Sequence, residues 1–181
     1  MQAFEHLPLR TDRLVLRPLQ ETDAEALFTI FSDQKVMRYW STLPWTSLEP
    51  ARAMIARDLA QTSKEHLRLG IELAQDGHLV GTCTLFSINP MCRRAEAGYG
   101  LASFAWGLGY MNEALRALLD YGFQQLNLNR IEADIDPRNE ASARTLERLG
   151  FQKEGYLRER WIVGDEVSDT ALYGLLRREW K

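Results

Sequence analysis

Leu67, Leu69, Ile71 and Leu73 alternate with Arg68, Gly70 and Glu72, a period of two that requires a β-strand with one buried face. Gln75-Asp-Gly-His78 then supplies a hairpin turn, and Leu79 to Phe86 is the returning strand. Arg94 to Leu101 continues the antiparallel run. Upstream, Leu14 to Pro18 reads as a short strand, and Thr22 or Asp23 caps a helix to about Phe31 with Ala24, Leu27, Phe28 and Phe31 on one side. Ser47 and Pro50 open a second helical stretch to about Glu65.

The period changes after residue 106. Met111, Leu115, Leu118, Leu119 and Gly122 recur at helical spacing on one face, with Glu113, Arg116 and Asp120 elsewhere. Ile131, Ala133 and Ile135 alternate with Glu132 and Asp134 in the next strand, which Pro137 ends. Asn139 caps a helix that stops at Gly150, and two strands, Gln152 to Val163 and Glu166 to Leu176, meet at Gly164-Asp165. The strand, helix, strand order from residue 94 to 135 implies one parallel pair inside an otherwise antiparallel sheet, so the expected class is α/β with a mixed sheet.

Composition narrows the functions. With 181 residues, 45% of them apolar, the chain is expected to form a single domain over 1–181. No apolar run approaches the ~18 residues of a membrane span. The N-terminal stretch carries Glu5 and Asp12 and lacks the apolar core of a secretion signal, so a soluble cytoplasmic protein without a membrane partner is expected. Cys83 and Cys92 have no C-x-x-C spacing, and His6, His66 and His78 lie far apart, which predicts neither a disulfide framework nor a metal site. The formal charge of −3 argues against nucleic acid as the main partner. Arg93-Arg94 and Arg177-Arg178 read as solvated surface charge, whereas Arg138, Arg144 and Arg148 surround a helix just after the strand that should neighbour the glycine turn.

That turn is Trp106-Gly-Leu-Gly-Tyr-Met-Asn-Glu-Ala114, a Gly-x-Gly between an apolar strand and an amphipathic helix. Without a Cβ, Gly107 and Gly109 can turn main-chain N–H groups toward one anionic group, and the helix behind adds its unpaired first-turn donors and positive dipole end. The segment approximates the dinucleotide-binding G-x-G-x-x-G, with Glu132 downstream. Asn112 replaces the third glycine, however, and the motif comes too late for a full doubly wound domain, so a nicotinamide-dependent oxidoreductase does not fit. A P-loop fails because no Gly-Lys-Ser/Thr follows.

Four segments in order resemble one family over nearly the whole chain: Thr11-Asp-Arg-Leu-Val-Leu-Arg-Pro-Leu19 with Asp23 to Phe31 and Val36-Met-Arg-Tyr39; Leu79-Val-Gly-Thr82 with Glu96-Ala-Gly-Tyr-Gly-Leu101; the glycine turn; and Asn139 to Phe151 with Glu154-Gly155 and an Arg-rich strand pair ending in Arg178-Glu-Trp180. The resemblance is to the GNAT superfamily of acetyl-CoA-dependent N-acetyltransferases, in its branch similar to the RimJ/RimL ribosomal-protein N-acetyltransferases. It implies a mostly antiparallel central sheet flanked by helices, with a splayed parallel pair that opens a cleft for acetyl-CoA. The pantetheine arm would run along Gly98, Tyr99, Gly100 and Leu101, pairing with exposed main chain as another strand would. The pyrophosphate would sit over Gly107, Leu108, Gly109, Tyr110 and Met111, and Asn139 and Arg144 complete the implied cofactor-binding set. Phe104 departs from the wider superfamily, which often has Gln or Arg there, so some pyrophosphate affinity must come from elsewhere.

Acetyl transfer to an amine needs a neutral nucleophile, a polarised thioester carbonyl and a proton for the leaving thiolate. By resemblance Glu96 is the catalytic base beside the acceptor amine, directly or through water; the alternative is a pairing with Arg93, Arg94 or another surface arginine. Glu72 reads as a solvated or paired side chain. Asn139 and Ser142 match an Asn-x-x-Ser in which the serine assists the thiolate, and three residues place both at the N-terminal end of one helix. An ordinary N-cap is the alternative for Asn139, and a plain first-turn serine the alternative for Ser142. The resemblance also puts Trp40, Trp45 and Trp161 at the acceptor mouth, where core packing is the competing role. The expected acceptor is a primary amine, first a protein or peptide N-terminus, with polyamines, aminoglycoside-like compounds and amino-acid derivatives as alternatives, in a monomer or homodimer. A sensor of acetyl-CoA or a small molecule without turnover is the reading from another class.

Overall fold

The alternating segments become neighbours in one eight-stranded sheet. The structure, a computed structural model, describes residues 4–61 and 63–181. The strands are β1 (Leu9–Arg10), β2 (Leu14–Arg17), β3 (Leu67–Leu73), β4 (Leu79–Asn89), β5 (Arg94–Leu101), β6 (Arg130–Ile135), β7 (Gln152–Val163) and β8 (Glu166–Leu176). Their spatial order is β1-β2-β3-β4-β5-β6-β8-β7, and every described neighbouring pair is antiparallel except β5 and β6. Helices α1 (Ala24–Ser32), α2 (Gln34–Met37), α3 (Glu49–Ala60), α4 (Tyr110–Gln124) and α5 (Glu140–Arg148) flank it. This is the mixed sheet that the order of periods implies.

Four details differ from the sequence reading. The short strand β1 and the single turn α2 carry too few residues to show a period. Strand β4 continues to Asn89, past Phe86. Helix α3 stops at Ala60, where Gln61 turns extended, whereas the expected helix to Glu65 crosses Thr62, which lies outside the described residues.

Two apolar clusters sandwich the sheet. One joins Leu115, Leu118 and Leu119 of α4 and Leu146 of α5 to Leu69, Leu85, Ala97, Ile131 and Leu175. The other gathers Leu27, Ile30 and Phe31 of α1 with Ile55 of α3 and Leu79. Successive strand residues point to opposite faces, so Ala95 and Ala97 on β5 belong to the α4 side and Glu96, Gly98 and Gly100 to the α1 side. Gly70 is buried among the polar positions of β3 because Leu19 and Leu79 pack on its second face, where a Cβ would lie 2.6 Å from Leu79.

The parallel pair diverges. Strands β5 and β6 match Arg94 to Arg130, Ala95 to Ile131 and Glu96 to Glu132, and pairing stops there although β5 runs on to Leu101 and β6 to Ile135. Beyond that point β5 stays bonded to β4 and β6 to β8. Each strand therefore keeps one paired edge and presents one bare edge to the gap.

Candidate active site

Where the two strands part, a cavity of about 430 Å³ opens, lined by Ala97, Gly98 and Tyr99 on one wall and Asp134, Ile135 and Asp136 on the other. Consecutive residues of a strand face opposite ways, so a cavity bordered by three in a row on both sides passes through the sheet. Trp40, Trp161 and Glu166 also line it, as do Asn139 and Ser142 at the start of α5.

Helix α5 brings its capping residues to this passage. Pro137 ends β6, and the Asn139 side chain accepts a hydrogen bond from the Ser142 backbone N–H at 3.1 Å, so the capping role is filled. The Ser142 hydroxyl, 9% exposed, lies 2.6 Å from the Tyr99 hydroxyl. Burial pushes the Tyr99 phenol up to about 12, against the contrary pull of the Ser142 hydrogen bond, which keeps it a neutral donor. Either hydroxyl can donate in this pair, and in the arrangement with the tyrosine donating the serine proton is free for another acceptor.

Glycine meets the conformational demand of the next turn. Gly107 and Gly109 adopt φ of 77° and 79°, and Gly109 directly precedes α4, whose first-turn N–H groups have no partner within the helix. Trp106 ties the connection to the sheet by donating its indole N–H to the Leu101 carbonyl at 2.8 Å. Arg13, which the sequence did not single out, lies against the same turn. Its guanidinium donates to the Leu108 carbonyl at 2.9 Å and to Glu113 at 2.7 Å, covers the Tyr110 ring at 4.7 Å, and lies 3.4 Å from where a Gly109 Cβ would be. Glu113 is part buried, which pushes its carboxyl up, but Thr11 and Arg13 outweigh that and hold it below the usual range. A cation thus stands at the turn where Phe104, 71% exposed, brings none.

The remaining sequence candidates divide. Trp40 lines the passage, packs edge-on to Phe31 at 5.2 Å and lies over Gly100, where a Cβ would approach it to 2.8 Å. Trp161 lines it too, with the Arg160 guanidinium 5.5 Å over its ring. Trp45 lies behind, packed on Phe31 at 4.8 Å in the α1 cluster, and is not among the lining residues. Tyr110 and Met111 pack on the α4-side core. Arg144 is exposed and paired with Glu140 at 3.0 Å, away from the passage lining. Glu72 is paired, to Arg17 at 2.5 Å. Glu96 is half-buried at the last paired position before the strands part, outside the lining, and has no hydrogen bond or ion pair among the described residues.

Three carboxylates line the passage, and two are neutralised. Arg138 pairs with Asp136 at 2.5 Å and with Glu166 at 2.7 Å. Burial pushes the Asp136 carboxyl up, but the Arg138 hydrogen bonds outweigh it and hold it low. Asp134 has no such partner, and burial pushes its pKa up, with only Arg160 pulling it back. Its alternation with Ala133 and Ile135 showed a polar strand face but not what that face meets.

A sheet opened by a diverging parallel pair, with an anion-ready glycine turn on one side and a polar, aromatic mouth on the other, has the architecture of an acyl-group transferase. The model of the Acetyltransferase (GNAT) domain family matches residues 13–152. The chain belongs to that family and is an acetyltransferase. It is 39% identical over 174 residues to "Uncharacterized N-acetyltransferase p20" of Bacillus licheniformis, covering 95% of this chain and 97% of that protein. It is 31% identical to "Putative ribosomal N-acetyltransferase YdaF" of Bacillus subtilis, covering 94% of each. The fold superposes with a TM-score of 0.83 on the spermidine N-acetyltransferase of Vibrio cholerae, solved with CoA and spermine, at 25% identity over 93% of this chain and 98% of that one.

Proposed function

We propose that the protein transfers the acetyl group of acetyl-CoA to a primary amine, on a small molecule or at a peptide or protein N-terminus, by direct attack of the amine on the thioester. The observation that carries this reading is the passage through the sheet at Ala97 to Tyr99 and Asp134 to Asp136. A thioester held there is reached from two sides. Gly107, Gly109 and the start of α4 would take the pyrophosphate, with Arg13 adding a cation, and the bare edge of Gly98 to Leu101 would pair with the pantetheine amides. On the same side Ser142, supported by Tyr99, donates a proton to the departing thiolate. Trp40 and Trp161 border the other mouth and admit a slender amine-bearing chain. The relatives support an amine acceptor, since one is solved with spermine and another is named as a ribosomal N-acetyltransferase.

Co-substrate binding is tested by calorimetry with CoA. Gly109→Val puts a β-branched residue at φ 79° and crowds Arg13, so CoA affinity should fall by roughly 10²-fold, on the order of two lost charge-assisted hydrogen bonds. Equal affinity of variant and wild type, or no binding by the folded wild type, contradicts this assignment.

A further inference from the structure

We propose that Asp134 is the carboxylate that receives the acceptor's ammonium group and takes its proton, and that the passage accordingly accepts cationic primary amines. This rests on the acetyl-transfer reading above and adds to it the group that activates the nucleophile.

Position is the first argument. Asp134 follows Glu132, the last β6 residue paired to β5, by two residues, so both project from the same face. Had the pairing continued, Asp134 would have faced Gly98. Gly98 has no side chain and the strands have parted, so the space between the two is cavity. That face is the one that carries Trp40 over Gly100, whereas Tyr99 belongs to the opposite, α4-side face and bonds Ser142 there. The proton-accepting and proton-donating groups therefore stand on opposite sides of the sheet, with the passage between them.

Charge is the second. Of the carboxylates around Asp134, Asp136 and Glu166 are committed to Arg138, Glu132 to Arg94 and Arg130, and Glu154 to Arg130, while Glu96, also without a partner among the described residues, lies outside the cavity lining where the strands are still paired. Asp134 accepts no hydrogen bond and makes no ion pair among the described residues, although it is half-buried. Arg160 acts on it from β7; of the lining cations, Arg138 is held by Asp136 and Glu166, and Arg38 lies over the Tyr39 ring at 5.4 Å. A carboxylate withdrawn from water without a partner is costly, and a cationic ligand relieves that cost. Its raised proton affinity also suits a base that must strip an ammonium near neutral pH.

The step balances. One ammonium proton passes to Asp134, the freed lone pair forms the C–N bond at the thioester carbon, and the C–S pair leaves on sulfur. The thiolate takes a proton from Ser142, which a second proton from the nitrogen replaces. Asp134 then releases its proton to solvent, so one ammonium ion and one thioester give one amide, one thiol and one proton.

The test is steady-state thiol release from acetyl-CoA with 1,4-diaminobutane, beside calorimetry with CoA. Asp134→Asn should lower kcat/KM for the amine at least ~10²-fold, the lower end of general-base effects, while CoA affinity stays within about twofold. Asp134→Ala should regain turnover when formate is added, a response that a merely structural aspartate does not give. Turnover of Asp134→Asn within about threefold of wild type, or an Asp134→Ala that binds CoA but does not respond to formate, overturns the inference while leaving acetyl transfer intact. Absence of 1,4-diaminobutane acetylation by a wild type that acetylates a peptide N-terminus overturns this inference alone, and absence of acetylation with both overturns the acetyl-transfer reading with it.

Discussion

At the scale of residues, the site is built from side chains whose hydrogen-bonding capacity is either spent or left free. Asn139 spends its carbonyl on the Ser142 N–H, and Arg138 is spent on two carboxylates. The free capacity includes the Ser142 hydroxyl proton and the carboxylate oxygens of Asp134 and Glu96. Ser142→Ala should keep CoA affinity and lower kcat by roughly 10²-fold, because a positioned acid is removed and binding groups are not. Tyr99→Phe should lower it less, since the serine keeps its proton but loses the partner at 2.6 Å. Turnover of Ser142→Ala equal to wild type in thiol-release kinetics contradicts the role. The Asn-x-x-Ser spacing was legible in the sequence because one helical turn fixes it. Asp134 and Arg13 were not: Arg13 meets Glu113 at a sequence separation of 100, and Asp134 read only as the polar half of an alternating strand. Nor could spacing separate Trp40, at the passage, from Trp45 behind it.

At the scale of elements, hydrophobic period gave the long strands and helices with their order, and the glycines and Asn139 gave the ends of α4 and α5. The extent of the splay was not legible, because it is a relation between β5 and β6, each regular by itself. Another inter-element feature is the junction of α3 and β3. His66 lies in the loop between them, its Nε2 3.8 Å from Asp58 of α3 and without a hydrogen-bond partner. Burial, helped by Arg68 and Arg57 and opposed by Asp58, holds its pKa below 6.5. A base whose proton affinity is lower in the fold stabilises the neutral form, so as pH falls below the unfolded value the unfolded chain binds the proton first. The thermal midpoint should therefore drop as pH falls below 6.5. In His66→Gln that drop should be absent. The depressed carboxyls of Glu113 and Asp136 lose their contribution only at more acid pH, below the ordinary values of 4.5 and 3.8, and the raised carboxyl of Asp134 acts alike in wild type and His66→Gln, so the difference between the two reports the imidazole. Equal slopes for variant and wild type would contradict the account.

At the scale of the whole molecule, the proposed reaction makes one sheet the partition between two substrates. The α4 and α5 side offers main-chain donors and a hydroxyl, and the α1 side offers indole rings and an unpaired carboxylate. The passage joins them only where the parallel pair has let go. The formal charge of −3 is compatible with a cationic amine approaching that second mouth. No helix among the described residues is long and apolar enough to cross a membrane. The most direct test of this arrangement is thiol release from acetyl-CoA, measured with peptides bearing free N-termini, diamines and polyamines, and read beside the mass of the acceptor. Thiol release that depends on one of these amines, with an acetyl group gained by that amine in equal amount, is the predicted result. Thiol release no faster than hydrolysis with every amine, by a protein that still binds acetyl-CoA, would contradict it and make the protein a sensor rather than an enzyme.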